Sequence, residues 1–179
     1  MKVKLNKEQQ KLLETLIFLV KLTLFSIPVY IILTFHNILF PLQYIVAKNV
    51  HMLLNVTGFD MAMEGMLIFG NGVSFFISED CTGWKSAILL IALIFSVPKI
   101  QLRKRVMGVI AGLPVLYVAN ILRILIVIFV WKGAGRGFAD IFHDYLWQVG
   151  LVFVVMIIWV LWLMWTGKLR NNAFKKLLH

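Results

Sequence analysis

The stretch that decides the fold is residues 79–86, EDCTGWKS, where a polar segment meets the apolar run 87–97, AILLIALIFSV. Cys81 in this stretch is the only cysteine of the protein. A free cysteine packs well as a small hydrophobic residue, and it becomes a nucleophile only where its surroundings favour the thiolate. Taken alone, Cys81 is better interpreted as a packed small residue, so evidence for a nucleophile has to come from the rest of the chain.

The composition is that of a membrane protein. Of the 179 residues, 61% are hydrophobic and 15% are charged, whereas soluble domains are about 45–50% apolar and about 25% charged. Apolar runs of about 20 residues recur, and that length crosses a bilayer. We therefore expect one integral membrane domain over residues 1–179, since no separate soluble domain has room to exist.

The net charge of +10 is explained by membrane topology, and we expect no nucleic-acid partner. Basic residues gather at the N-terminus, in the segment 99–105 and in the tail 168–176, whereas most acidic residues lie between these clusters. The positive-inside rule places all three basic clusters in the cytoplasm. The N-terminal apolar run is too long for a cleavable signal peptide and no small-residue cleavage site follows it.

Four segments are predicted to span the membrane, with both termini inside. They are residues 15–35, 82–97, 106–131 and 143–165. The third contains Gly108, Gly112 and Pro114, which interrupt its helical pattern. Residues 36–58 mix polar side chains with apolar ones at helical spacing, so we interpret them as an interfacial or re-entrant helix on the outer side.

Residues 66–77, MLIFGNGVSFFI, predict a β-hairpin, because Asn-Gly at the tip supplies the positive φ values that a tight turn needs. Open strand edges are unstable in lipid, so this hairpin is expected outside the hydrocarbon. The predicted fold is an all-α integral membrane protein. It has about four transmembrane helices, an outer interfacial or re-entrant helix and a short extracytoplasmic β-hairpin.

This topology places Cys81, Arg123 and His143 in the outer half of the bilayer. A guanidinium within an apolar span costs at least about 2.5–3.5 kcal/mol, so such residues usually line functional cavities, although a salt bridge to an outer carboxylate is the alternative. Asn120 shares the face of Arg123 and either orients it or bonds a neighbouring helix. His143 and the adjacent Asp144 are either site residues or ordinary interface residues.

A thiol, an imidazole and a guanidinium together suit acyl transfer. The thiolate of Cys81 would be the nucleophile, His143 would protonate the leaving amine, and Arg123 would stabilise the oxyanion. Asp144 is a weaker candidate for orienting the site. A single cysteine excludes an internal disulfide and a Cys-rich metal site, and we expect neither a metal nor another cofactor.

Three motifs resemble the exosortase/archaeosortase family: Cys81-Thr82-Gly83-Trp84-Lys85-Ser86, Asn120-Ile121-Leu122-Arg123, and His143 at the head of a later span. The resemblance covers residues 59–165. It implies a membrane cysteine protease or transpeptidase with a Cys–Arg–His site. It also implies secreted substrates with a C-terminal sorting signal, which is a short motif, a transmembrane helix and a basic tail. The compact size favours an archaeosortase-like member.

The resemblance leaves the acceptor open, which is either water or an amine on a membrane lipid or surface polymer. Two other classes of function also fit the residues. One is a non-enzymatic membrane component of export or assembly, in which Cys81 is inert, and the other is a small transporter with Arg123 in the substrate path. Thiol reactivity separates the classes, because only the enzyme requires an activated cysteine.

Overall fold

A computed structural model describes residues 6–70, 72–135, 137–138 and 149–167. The described chain is mostly helical, with one small sheet. Its helices are α1 (Lys7–Leu24), α2 (Ser26–Thr34), α3 (Phe40–Val56), α4 (Trp84–Ser96), α5 (Leu102–Ala134) and α6 (Leu151–Trp165). Its strands are β1 (Ala62–Glu64), β2 (Leu67–Gly70) and β3 (Val73–Phe76), and two short 3₁₀ helices cover His36–Leu39 and Glu79–Thr82.

Two helical stretches among the described residues are long and apolar enough to cross a membrane. They are Glu8–Thr34, with 27 residues, and Leu102–Ala134, with 33. The first covers all but the last residue of the predicted span 15–35, and the second contains the predicted span 106–131. α4 and α6 are apolar but have 13 and 15 residues. At 1.5 Å per residue they extend about 20 and about 23 Å, less than the bilayer core of about 30 Å. The count of four spans therefore stays a prediction.

α5 runs as one helix through the positions that were expected to interrupt it. A Cβ at Gly108 would lie 2.4 Å from Nε1 of Trp162, and one at Gly112 would lie 2.9 Å from a methyl carbon of Leu90. These two glycines let α6 and α4 approach the α5 backbone, as small residues do between membrane helices. Pro114 lies inside the helix, which membrane helices tolerate.

The basic segment between α4 and α5 ties several helices together at one end of the molecule. Arg105 donates hydrogen bonds of 2.9 and 2.8 Å to the carbonyls of Phe95 and Val97, which satisfies the open end of α4. Lys99 forms an ion pair with Glu14 of α1. The start of α1 and the predicted cytoplasmic loop thus share one end, as the predicted topology requires.

The predicted hairpin is confirmed, and it belongs to a larger sheet than expected. β2 and β3 pair antiparallel with Gly70 opposite Val73, while β1 pairs with the other side of β2, with Ala62 opposite Phe69. The strand order is β1–β2–β3. β1 was not predicted, because three residues are too few to show an alternating pattern.

Residues 36–58 form a 3₁₀ turn followed by α3, and α3 packs against α5 and the 3₁₀ helix of the cysteine loop. Its buried face consists of Gln43, Val46, Ala47, Val50 and Leu54. This spacing of three, one, three and four residues defines one stripe of a helix. A helix was expected here, and its depth relative to the bilayer stays a prediction.

Candidate active site

The loop that carries Cys81 is a single tight turn between the sheet and α4. The backbone N–H of Cys81 donates to the carbonyl of Ser78 over 3.0 Å, and the hydroxyl of Thr82 donates to the carbonyl of Glu79 over 2.7 Å. The first bond closes a 3₁₀-type turn of the backbone, and the second links a side chain to the backbone three residues earlier. The half-buried thiol is thereby held directly after the end of β3.

Gly83 ends this turn in a conformation and a space that suit glycine alone. Its φ of +76° lies in the left-handed region, which costs most other residues about 1–2 kcal/mol. A Cβ there would lie 3.1 Å from the amide carbon of Asn120 and 3.3 Å from its Oδ1. The glycine therefore lets α5 approach the cysteine loop.

Asn120 fastens α5 to that loop. Its side chain is 1% exposed, and its Nδ2 donates a 2.8 Å hydrogen bond to the carbonyl of Cys81. Its Oδ1 has no hydrogen-bond partner in the part of the chain that the structure describes. Of the two roles predicted for Asn120, bonding a neighbouring segment is the one observed, and that segment carries the thiol.

Arg123 and Cys81 line the same cavity, which has a volume of about 800 Å³. Arg123 is 6% exposed, and its Nη1 has no hydrogen-bond partner among the described residues. Cys81 and Asp80 both lie close enough to interact with the guanidinium electrostatically. A buried cation with an uncommitted donor beside a thiol is suited to receive developing negative charge.

The walls of the cavity are mainly apolar. β3 and the residues flanking it form one wall, and the C-terminal half of α5 forms the other, with Ile124, Val127 and Ile128 among its lining residues. The rings of Phe75 and Trp131 meet edge to face across the two walls, with their centroids 5.4 Å apart. A peptide that enters this cavity would lose contact with water and would contact apolar side chains, one thiol and one guanidinium.

Two residues of the site escaped the sequence analysis. The hydroxyl oxygen of Ser78 lies 3.4 Å from the sulfur of Cys81, and the buried Gln43 donates a 2.6 Å hydrogen bond to the carbonyl of Ile77. The i to i+3 spacing of Ser78 and Cys81 could have predicted their contact if a turn had been assumed there. Gln43 had no such signal, because its partner is 34 positions away.

The structure brings together Cys81, Arg123 and Asn120. His143 and Asp144 lie outside the described residues, so their predicted roles stay predictions. The described residues contain no group of three or more His, Cys, Asp or Glu side chains placed to hold a metal ion.

Comparison with known proteins identifies one family. The family model described as Transmembrane exosortase (Exosortase_EpsH) matches residues 9–170, which is most of the chain. No curated protein and no solved structure matches this chain.

Proposed function

Because this chain belongs to the transmembrane exosortase family, we propose that it is a membrane-embedded cysteine protease or transpeptidase. Its substrates are secreted proteins with a C-terminal sorting signal of motif, transmembrane helix and basic tail. The observation that carries the proposal is the shared cavity, in which the only thiol of the protein faces the same space as a buried arginine.

The reaction begins when the Cys81 thiolate attacks the carbonyl carbon of the scissile peptide bond. A C–S bond forms, and the carbonyl electron pair moves to the oxygen, where Arg123 stabilises the negative charge. The intermediate then collapses, the C–N bond breaks, and the amine leaves with a proton that His143 supplies. The substrate is now a thioester of Cys81.

The second half of the reaction releases the substrate. Water attacks the thioester to give a carboxylic acid, or an amine on a membrane lipid or surface polymer attacks it to give a new amide. In both cases the C–S bond breaks and the thiol is regenerated. An apolar cavity favours the amine outcome, because it limits the access of water to the thioester.

The site is proposed to face the extracytoplasmic side of the cell membrane in a multi-pass protein. Two features support this orientation. The basic segment 99–105 lies at the far end of α4 from Cys81, and the positive-inside rule favours the cytoplasm for it. The sheet beside Cys81 also needs an aqueous or interfacial setting, because its edges are open.

The experiment is to co-express this protein with a fusion protein whose C-terminus is a short polar segment, an apolar helix and a basic tail. These three parts are taken from a secreted protein of the same organism, and the size of the fusion is followed. Wild type should shorten the fusion, and Cys81→Ala should leave it intact while still inserting into the membrane. Cys81→Ser should be nearly inactive, because a hydroxyl is far less acidic than a thiol. Ser96→Ala is the matched control, since it removes one buried atom at the other end of α4.

Processing by Cys81→Ala at the wild-type rate would overturn the proposal. A cysteine-dependent product without any change in Ser96→Ala would support it. The mass of the shortened fusion then separates the two acceptors, because hydrolysis adds one water and aminolysis adds the amine.

A further inference from the structure

The free edge of β3 runs along the cavity and ends at the catalytic loop. Among the described residues the sheet has three strands, and β3 is at one edge. Gly70 lies opposite Val73 at the end of the β2–β3 pair, in the same alternating series of positions as Met66 and Ile77. Ile77 donates inward, to the carbonyl of Met66 over 3.0 Å.

This register determines which backbone groups of β3 point outward. In an antiparallel pair, hydrogen-bonded and non-hydrogen-bonded positions alternate. Val73, Phe75 and Ile77 therefore face β2, and the N–H and C=O groups of Ser74 and Phe76 point away from the sheet. Those groups form the template for a further strand.

The sequence of β3 does not protect this edge. Edge strands are usually guarded by a charged side chain, a proline or a bulge. β3 reads Val-Ser-Phe-Phe and contains no charge and no proline. An unguarded edge beside a cavity is the arrangement that binds extended peptides by strand addition.

We propose that the substrate's extended segment adds to the outer edge of β3 as a fourth strand. This inference rests on the proposed function, and it assigns the binding mode of that site. All of β3 lines the cavity with Cys81 and Arg123. The volume of about 800 Å³ lies within the range of about 300–1,000 Å³ that binding pockets have.

The occupant is an extended, uncharged peptide segment, for three reasons. The edge offers backbone donors and acceptors in alternation, which only another extended backbone matches. The walls are mainly apolar, and Nη1 of the guanidinium at the Cys81 end has no partner among the described residues, so it can donate to a carbonyl oxygen. A peptide paired with Phe76 has its next residues beside the thiol, because the chain passes from β3 to Cys81 within five residues.

A proline tests the backbone hydrogen bond in the active enzyme. Ser74→Pro removes the outward N–H without removing a bond to β2, and edge strands tolerate proline. It should lower kcat/KM by roughly threefold to tenfold, the effect of one hydrogen bond. Ser74→Ala removes the hydroxyl and keeps the N–H, so Ser74→Pro should lose more kcat/KM than Ser74→Ala does. Equal losses in both variants would contradict strand addition.

Cross-linking tests the geometry without catalysis. In a Cys81→Ala background, Ser74→Cys provides a single thiol at the β3 edge, and Ala62→Cys provides a single thiol in the same row on the opposite edge. The fusion protein receives single cysteines at successive positions of its segment before the apolar helix, and a mild oxidant forms disulfides. Ser74→Cys should cross-link at every second position, because strand side chains alternate between faces. Ala62→Cys should not cross-link.

Several results would overturn the proposal. They are cross-links at consecutive positions, equal cross-linking from Ala62→Cys, no cross-link to the fusion, or a disulfide between two copies of the Ser74→Cys chain. Failure of the proposed function gives a different result, since Cys81→Ala would then process the fusion as wild type does. Alternating cross-links without any cysteine-dependent cleavage would mean that the edge binds the segment and the thiol does not cut it.

Discussion

Asn120 of α5 donates a 2.8 Å hydrogen bond to the carbonyl of Cys81, so a helix long enough to cross a membrane holds the backbone of the loop that presents the thiol. The same helix carries Arg123 one turn further along. The positions of the Cys81 thiol and the Arg123 guanidinium relative to each other are therefore set by one helix and by one hydrogen bond.

Removing the Asn120 amide should detach the loop. Asn120→Ala is expected to lower the cleavage rate by about tenfold or more, because a misplaced nucleophile loses its attack geometry. Asn49→Ala is the control, since Asn49 also donates a hydrogen bond to a second helix, to the hydroxyl of Tyr117 over 2.7 Å. Thermal unfolding and the cleavage rate should be measured for both. Similar rate losses in the two variants would show that Asn120 acts through general stability.

Gly83→Ala should disturb the same contact from the other side. The alanine Cβ would meet the amide of Asn120 at 3.1 Å, and φ of +76° adds backbone strain. We expect about 1–2 kcal/mol of lost stability together with slower cleavage. Gly65→Ala has a similar positive φ and nothing within 4 Å. Gly65→Ala should therefore lower the stability and leave the cleavage rate per folded molecule unchanged. If Gly65→Ala slows cleavage as much as Gly83→Ala does, the contact with Asn120 is not what the reaction depends on.

Arg123→Lys separates directed hydrogen bonding from charge. If the guanidinium stabilises an oxyanion through Nη1, lysine should fail nearly as badly as alanine, because it lacks the planar fork. The expected loss is about 10²–10³-fold in cleavage rate. Arg105→Lys in the same helix is the control. Arg105 lies near the start of α5 and binds the carbonyls of Phe95 and Val97 at the end of α4, so its replacement should affect stability. Full activity of Arg123→Lys would show that the reaction needs only a positive charge at this position.

Ser78→Ala tests the hydroxyl beside the sulfur. Donation from Ser78 to the thiolate would stabilise it, so the loss of the hydroxyl should slow alkylation of Cys81 by roughly threefold to tenfold. Ser78→Thr retains the hydroxyl and should restore most of the rate. Alkylation by a small maleimide in purified protein is the measurement, and it needs no substrate. Unchanged alkylation of Ser78→Ala would mean that the sulfur is the donor.

The orientation can be tested with two reporter cysteines in a Cys81→Ala background. Ala62→Cys lies in an exposed strand near the predicted outer face, and Gln101→Cys lies in the exposed basic loop. An impermeant thiol reagent should label only Ala62→Cys in intact cells, and both after lysis. Labelling of Gln101→Cys alone would reverse the topology and place the site inside.

Much of this architecture was accessible from local patterns. The Asn-Gly turn between apolar runs predicted the hairpin, and the long apolar stretches predicted the two membrane-capable helices. Arg123 was predicted to be a site residue because a guanidinium in an apolar helix carries a large free-energy cost. Helix direction then predicted that Cys81 and Arg123 share one half of the membrane. The hairpin and the two membrane-capable helices were predicted correctly because each depends on neighbouring residues or on transfer from water to lipid. The role of Arg123 and the position of the cavity in the membrane stay predictions.

The sequence by itself determined a membrane protein with its cysteine at the rim of an apolar helix, since hydrophobic length and charge placement are properties of a linear chain. Only the tertiary structure decided that Asn120 binds the carbonyl of Cys81, that Gln43 binds Ile77, and that the β3 edge borders the cavity. The first two bonds join residues 39 and 34 positions apart. Such partners are chosen by how helices pack against the sheet, and close approach at Gly83 and Gly112 makes that packing possible.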